Sequence, residues 1–146
     1  MKSTLKIICH WILVFIWAGM IFWMSSVPNL SPPADSFNIL DFLLKKSAHL
    51  GEYFILTILI LGAFLISRMS LKRAIVLSLA LAVIYAVSDE WHQTFVVGRS
   101  GRIWDVVIDT AGVAAGIAFY YYRDWFFSIP YKIKGVFVKQ KGVLLE

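Results

Sequence analysis

The chain has 146 residues and a formal net charge of +5 at pH 7, and 60% of its residues are hydrophobic. Its mean hydropathy of +0.75 is far above that of a soluble globular domain of this length. The composition therefore excludes a soluble globular protein and indicates an integral membrane protein.

Four segments are long and apolar enough to cross the hydrocarbon core as helices, which takes about 18 or more residues. They are residues 7–27, 48–67, 74–96 and 103–127. Backbone polar groups in lipid must be satisfied within a helix or a closed barrel, and the period-two alternation of barrel strands is missing. The sequence thus predicts an all-α bundle of four transmembrane helices. The first segment also resembles a signal peptide, but its length and its tryptophans favour retention as a membrane helix.

The loop after the first span contains prolines that interrupt a helix. Four apolar positions in and after that loop follow at the spacing of one helix face: Phe37, Leu40, Leu43 and Leu44. This pattern predicts a short amphipathic helix at the outer membrane interface.

Basic residues set the expected orientation, because Lys and Arg favour cytoplasmic segments. With the N-terminus inside, ten of the 14 basic residues are cytoplasmic and four lie outside: Lys45, Lys46, Arg99 and Arg102. We therefore predict a multi-pass protein of the cytoplasmic membrane with both termini in the cytoplasm. Residues 1–127 would form the transmembrane domain, and residues 128–146 a basic amphipathic cytoplasmic tail that lies on anionic lipid rather than on nucleic acid.

Polar residues recur at helical spacing on the last three spans. The second span carries Lys45, His49 and Glu52 on one face, with Tyr53 beside them. The third carries Tyr85, Ser88, Asp89 and His92, with Gln93 at the edge and Glu90 about a quarter turn away. The fourth carries Asp105, Asp109, Gly112 and Gly116, whose two glycines have the spacing of close helix packing. All three stripes lie near the outer helix ends, and because isolated charges are costly in hydrocarbon, we expect one shared polar pocket there.

Within this pocket we predict acid and base roles for four residues: His49, Glu52, Asp89 and His92. Eight more are predicted to hold a ligand, the arginines by binding an anionic headgroup: Lys46, Tyr53, Glu90, Gln93, Arg99, Arg102, Asp105 and Asp109. Imidazoles and carboxylates also suit Zn²⁺ or Mg²⁺, but a compact motif such as His-Glu-x-x-His is missing. No cofactor is predicted, and metal binding stays open.

Two sequence stretches, "KKSAHLGEY" and "YAVSDEWHQTFVVGRSGRIWDVVIDTAGVAAG", resemble the VanZ-like family of small multipass membrane proteins. The resemblance covers roughly residues 10–122. It implies a role in the bacterial cell envelope and, as in the teicoplanin-resistance protein that gives the family its name, reduced susceptibility to a glycopeptide antibiotic. It implies no chemical mechanism.

Three functions fit these observations. The pocket could bind or modify an envelope ligand, either a lipid-linked precursor or a lipoglycopeptide. It could instead be the site of a membrane-embedded acid/base hydrolase or transferase that acts on a lipid phosphate headgroup. A third alternative is an ion-pair network that only holds the helices in register. The expected partners are membrane lipids and such a ligand, and not nucleic acid. Whether the protein is an enzyme, and whether it forms oligomers, stays open.

Overall fold

The computed structural model describes the backbone of residues 2–28 and 39–143 and, within these ranges, the side chains of residues 4–123 other than that of residue 41. In these residues the elements are four helices: α1 (Lys2–Ser26), α2 (Ile39–Ile66), α3 (Leu71–Gln93) and α4 (Ile103–Val143). Each contains a stretch long and apolar enough to span a membrane, and these are Thr4–Ser26, Phe42–Ile66, Leu71–Gln93 and Ile103–Arg123. The prediction of a four-helix membrane bundle is confirmed.

Two helix boundaries differ from the sequence prediction. Leu40, Leu43 and Leu44 form the first turns of α2 rather than a separate interfacial helix, because no proline divides them from the span, while Phe37 lies outside the described residues. At the other end, α4 continues through Pro130 to Val143. The predicted tail therefore begins as an extension of α4, and its position on a lipid surface stays a prediction.

The bundle exposes apolar side chains and buries polar ones. Phe15 is 71% exposed and Ile84 is 65% exposed. The buried residues include acidic and amide side chains: Asp89, Glu90, Gln93, Asp105 and Asp109. Large apolar side chains on the outside, with carboxylates buried beside an apolar core, match a bundle whose outer surface faces hydrocarbon.

Helix α2 is the centre of the fold, since its contacts with the other three helices are the most extensive in the bundle. Its most extensive contact is with α4, where Gly112 and Gly116 let the two backbones approach. A Cβ added at Gly116 would lie only 2.9 Å from the carbonyl oxygen of Phe54. The close packing predicted from the glycine spacing is confirmed.

A tight turn joins α2 to α3. The Arg68 amide donates to the Leu65 carbonyl (3.0 Å) and the Met69 amide to the Phe64 carbonyl (3.1 Å), which is the Schellman pattern of helix termination. Arg68 occupies the left-handed position of this motif with φ of 62°, where glycine is the usual residue. The turn aligns α3 antiparallel to α2.

The C-terminal ends of α1 and α3 therefore meet the N-terminal ends of α2 and α4 at one end of the bundle, hereafter the polar end. Two contacts show this alignment directly. Arg99, in the loop after α3, donates to the Met24 carbonyl at the end of α1 (2.7 Å). Lys46 of α2 forms an ion pair with Asp105 of α4.

Candidate functional site

A cleft of about 510 Å³ opens at the polar end, hereafter the polar cleft. Its volume lies within the range of small-molecule sites, about 300–1,000 Å³. The charged side chains that line it are Lys45, Lys46, Arg99, Arg102, Glu52 and Asp105, with His49 and Gln93 beside them. Cations outnumber carboxylates in this lining, and this balance favours an anionic ligand.

Two pairs of side chains join α2 to α4 at one wall of the polar cleft. Lys46 donates to the Asp105 carboxylate, and one turn deeper His49 Nδ1 lies 3.3 Å from Oδ1 of Asp109. Asp109 is fully buried, and among the residues described neither of its oxygens accepts a hydrogen bond. The two predicted stripes therefore do face each other, and among the described residues the deeper acid has the His49 imidazole as its one ion-pair partner.

Glu52 presents a half-buried carboxylate to the polar cleft. Its backbone carbonyl accepts a hydrogen bond from Trp17 Nε1 (2.9 Å), which ties this turn of α2 to α1. Tyr53 next to it is fully buried, and its hydroxyl has no hydrogen-bond partner in the described part of the chain. Glu52 is therefore accessible to a ligand in the cleft, whereas Tyr53 belongs to the core beneath it.

A hydrogen-bond network joins α1 to the end of α3. Asp89 accepts hydrogen bonds from Ser25 Oγ (2.9 Å) and from Gln93 Nε2 (3.1 Å). The Gln93 side-chain oxygen Oε1 in turn accepts a hydrogen bond from the Arg99 guanidinium (3.3 Å). Because Ser25, Asp89 and Gln93 are all buried, these bonds offset the cost of burying their polar groups, although Oδ1 of Asp89 has no hydrogen-bond partner among the described residues.

Arg99 also caps the C-terminus of α1, where helix carbonyls lack intrahelical donors. Its Nε donates to the Val27 carbonyl (3.0 Å) and its Nη2 to the Met24 carbonyl (2.7 Å). A cation at a helix C-terminus is further stabilised by the helix dipole. Arg99 therefore holds a wall of the polar cleft, and most of its donors are engaged within the protein.

Glu90 anchors the loop between α3 and α4. Its Oε2 accepts a hydrogen bond from the backbone amide of Arg102 (2.9 Å), and its Oε1 accepts one from Gln93 (3.3 Å). Glu90 thus bonds both to the loop and to Gln93 at the edge of the α3 stripe. The Arg102 side chain is exposed and donates to Ser100 Oγ (3.1 Å), which leaves guanidinium donors available at the cleft mouth.

His92 lies apart from the polar cleft. It stacks on Phe22 of α1, with ring centroids 4.4 Å apart, and its Nε2 is 3.0 Å from Ser26 Oγ. Together with Asp89 it lines a separate hollow of about 260 Å³. Each helical residue advances by about 100°, so His92 and Glu90 point about 160° apart on α3. The structure therefore does not bring His92 together with His49 and Glu52.

A protein-family model, VanZ/LLP1, matches residues 10–127 of the chain. The chain belongs to the VanZ/LLP1 family. Comparison with curated proteins and with solved structures gave no match. The family match confirms the resemblance inferred from the sequence motifs. The matched region contains every residue of the polar cleft and of the network around Asp89.

Helix α1 also contributes to this VanZ/LLP1 site, which was not predicted from the sequence. Val14, Ile21 and Ser25 are buried, and together with Ala18 they follow the three- and four-residue spacing of one helix face. Ser25 is the polar end of that apolar face, and Trp17 supplies the indole donor to α2. The signal in the sequence was the position of Ser25, which continues the buried apolar face of α1 by one more turn.

One group of side chains in the VanZ/LLP1 domain has the composition of a metal site. His49, Glu90 and Asp109 each offer one ligand atom, and these atoms all lie within 4.8 Å of one another. The group combines α2, α3 and α4 in one place. It does not include His92, which the sequence analysis considered as a metal ligand.

Proposed function

We propose that the polar cleft binds the anionic headgroup of a lipid-linked molecule of the bacterial cell envelope, at the extracytoplasmic face of the cytoplasmic membrane. The observation that carries this proposal is the excess of positive charge in the cleft lining. It contains four cations, Lys45, Lys46, Arg99 and Arg102, and two carboxylates, Glu52 and Asp105. Lys and Arg are the side chains that bind phosphate oxygens most strongly.

The four cations contribute differently. Lys46 is neutralised by Asp105, and Arg99 is engaged with α1 and Gln93. Lys45 is exposed and forms no ion pair within the described residues, and Arg102 bonds only one side-chain nitrogen to Ser100. Lys45 and Arg102 are therefore the residues expected to contact the ligand first.

The depth of the cleft supports a lipid-linked ligand. The cleft lies where the spans end, and its lining includes the apolar side chains Met24, Val27 and Phe42 besides the charges. A molecule with a hydrocarbon tail in the bilayer would bring its phosphate to this level. The distribution of basic residues along the sequence supports an outward orientation for this end.

A catalytic role is the second candidate, and the arrangement of His49 favours it. His49 lines the cleft, Asp109 lies behind its Nδ1, and Glu52 offers an accessible carboxylate three residues later. A histidine oriented by a buried carboxylate is a frequent general base. In hydrolysis of, or transfer from, a lipid phosphate headgroup, His49 and Glu52 would serve as the acid and base groups.

Family membership supports a lipoglycopeptide as an alternative ligand of the same cleft. The sequence resembles the relatives of a teicoplanin-resistance protein. Teicoplanin is a lipoglycopeptide, which combines a lipid tail with polar sugars. Binding in place of turnover would then reduce the free antibiotic near the membrane. Comparison of teicoplanin with a polyprenyl phosphate in one binding assay separates the two ligands.

The binding test uses the full chain in lipid nanodiscs and native mass spectrometry. A polyprenyl phosphate should bind at least about tenfold more tightly than the uncharged polyprenol of equal length. Replacing Lys45 and Arg102 together by Gln removes two cations, each contributing on the order of 1 kcal/mol, and should weaken binding about 30-fold. The matched control is Lys72→Gln with Arg73→Gln, at the opposite end of the bundle. Equal affinity for both lipids, or equal weakening in the control, would contradict the proposal.

Turnover is tested by incubating the same nanodiscs with the polyprenyl phosphate and identifying any products by mass spectrometry. Product that disappears in His49→Gln and in Glu52→Gln, with lipid binding retained, supports the enzyme. Saturable binding without product supports a binding protein and rejects the catalytic candidate.

A further inference from the structure

We propose that His49, Glu90 and Asp109 together bind one divalent transition-metal ion, with Zn²⁺ and Mn²⁺ as the candidates. This inference goes beyond the proposed headgroup binding, because Glu90 and Asp109 lie outside the lining of the polar cleft and only His49 is shared with it. It requires neither a lipid nor turnover.

The distances fit a single ion after a small adjustment. Zn²⁺ binds nitrogen and oxygen at about 2.0–2.1 Å, so two ligand atoms on a tetrahedral ion lie about 3.3 Å apart. His49 Nδ1 and Asp109 Oδ1 are 3.3 Å apart. The full set of three ligand atoms lies within 4.8 Å. The largest separation must therefore close by up to about 1.5 Å to reach coordination distance, which a side-chain rotation can supply.

The burial of Asp109 is the independent observation that points to a cation. Its side chain is completely buried, and neither carboxylate oxygen accepts a hydrogen bond from the residues described. Buried carboxylates are normally paired or metal-bound. Of the nearby cations, Lys46 pairs with Asp105 and Arg99 bonds to α1 and Gln93, which leaves His49, a cation only when protonated, as the ion-pair partner of Asp109. A divalent ion between His49 and Asp109 would supply the missing positive charge.

The surroundings of the three residues resemble the supporting shell of a metal site. Ligating carboxylates are usually held in place by hydrogen bonds from outer residues. Glu90 is held in this way by the Arg102 amide and by the Gln93 side chain. Gly112, one turn after Asp109, packs against the Leu50 backbone beside His49. The spacing between the α2 and α4 ligands is therefore fixed by backbone contact.

The donor set indicates the class of metal. Mg²⁺ and Ca²⁺ prefer all-oxygen sites, whereas imidazole nitrogen with carboxylates suits Zn²⁺ and Mn²⁺. Three protein ligands leave at least one coordination position for water, as in catalytic rather than structural zinc sites. Since His49 lines the polar cleft, such a position would be close to a bound headgroup.

The competing explanation is a metal-free ion pair between protonated His49 and Asp109. A direct metal titration separates the two. The full chain is purified without a polyhistidine tag, stripped with EDTA in lipid-free detergent, and titrated by isothermal calorimetry with Zn²⁺, Mn²⁺ and Mg²⁺ in turn. We expect one site per chain for Zn²⁺ or Mn²⁺ and at least about 100-fold weaker binding of Mg²⁺.

Substitutions then locate the site. Asp109→Asn and Glu90→Gln should each weaken binding about 100-fold or more, because each removes a ligand. His92→Ala, which removes another histidine near the polar end, should leave the affinity within about twofold and serves as the matched control. Co²⁺ added to the stripped protein should give the visible absorption of a nitrogen- and oxygen-ligated ion, and this spectrum should be lost in His49→Ala.

The wild-type titration decides the proposal even where a variant fails to fold. No saturable single site for Zn²⁺ or Mn²⁺ would overturn it, as would binding that survives Asp109→Asn or that His92→Ala abolishes. All titrations omit lipid, so a negative result leaves the proposed headgroup binding intact, and failure of headgroup binding leaves the metal site intact.

Discussion

Adding one methyl group at Gly112 should disrupt the polar end without touching any of its polar side chains. A Cβ at this position would overlap the Leu50 carbonyl oxygen and lie 3.1 Å and 3.2 Å from the Leu50 carbonyl carbon and Cα. All three atoms belong to the α2 backbone, which cannot turn aside as a flexible side chain can. Gly112→Ala must therefore separate α4 from α2.

The size of the effect follows from these contacts. Heavy atoms in ordinary contact lie about 3.5–4.0 Å apart, so α4 must retreat by roughly 1 Å. Overpacking of this kind destabilises a fold by about 1–3 kcal/mol. The same displacement would lengthen the 3.3 Å approach between His49 and Asp109. We therefore expect lower stability together with weaker metal binding.

Gly51→Ala is the matched control, since a Cβ there meets nothing within 4 Å. Removing a glycine from a helix interior should stabilise it by about 0.5–1 kcal/mol. Because both substitutions replace a helical glycine with alanine, this gain is common to them, and the two variants should differ by the overpacking cost of about 1–3 kcal/mol in free energy of unfolding. The assay is reversible unfolding by sodium dodecyl sulfate in mixed micelles, followed by circular dichroism, with the Zn²⁺ and Mn²⁺ titration repeated on each variant. Equal stability of Gly112→Ala and Gly51→Ala would refute the reasoning.

Three further predictions concern contacts outside the ligand group, and the same unfolding assay checks each. Arg99→Gln should lower the free energy of unfolding by about 2–4 kcal/mol, because it removes charge-assisted bonds to two α1 carbonyls; a loss under 0.5 kcal/mol would show that the cap is dispensable. A double-mutant cycle of Lys46→Gln and Asp105→Asn should give a coupling energy of about 0.5–3 kcal/mol, whereas additive effects would argue against the ion pair. Arg68→Gly should raise stability by about 0.5–1 kcal/mol, since glycine adopts the left-handed turn position without a Cβ clash; an unchanged or lower stability would be inconsistent with the φ of 62° at this residue.

The sequence predicted the features that depend on a single helix. Hydropathy located the four spans, and helical spacing grouped Asp105 with Asp109 and with Gly112 one turn later. Lys46 and His49 were placed on one face of α2 by the same argument. These predictions succeed because the period of a helix fixes which side chains share a side.

The pairing between helices was not predictable from that period. Which residue Asp109 meets depends on the rotation and depth of α2 relative to α4, and these are set by the backbone contact at Gly112. His92 shows the same limit, because the α3 stripe is wide enough for one edge to face α1 while Glu90 faces the opposite way. The role of Ser25 was hidden by its apolar surroundings, since a single hydroxyl hardly changes the hydropathy of a span.

The pairing of α2 with α4 constrains how the protein can be assembled in the membrane. Lys46 and Asp105 are separated by 59 positions in the chain, and the α1–α2 hairpin is synthesised well before α4. Before α4 is inserted, Lys46 and His49 lack their acidic partners on α4, Asp105 and Asp109, and must remain near water or an insertion chaperone. The α2–α4 contact, with its buried ion pairs, can therefore form only after α4 has been synthesised and inserted.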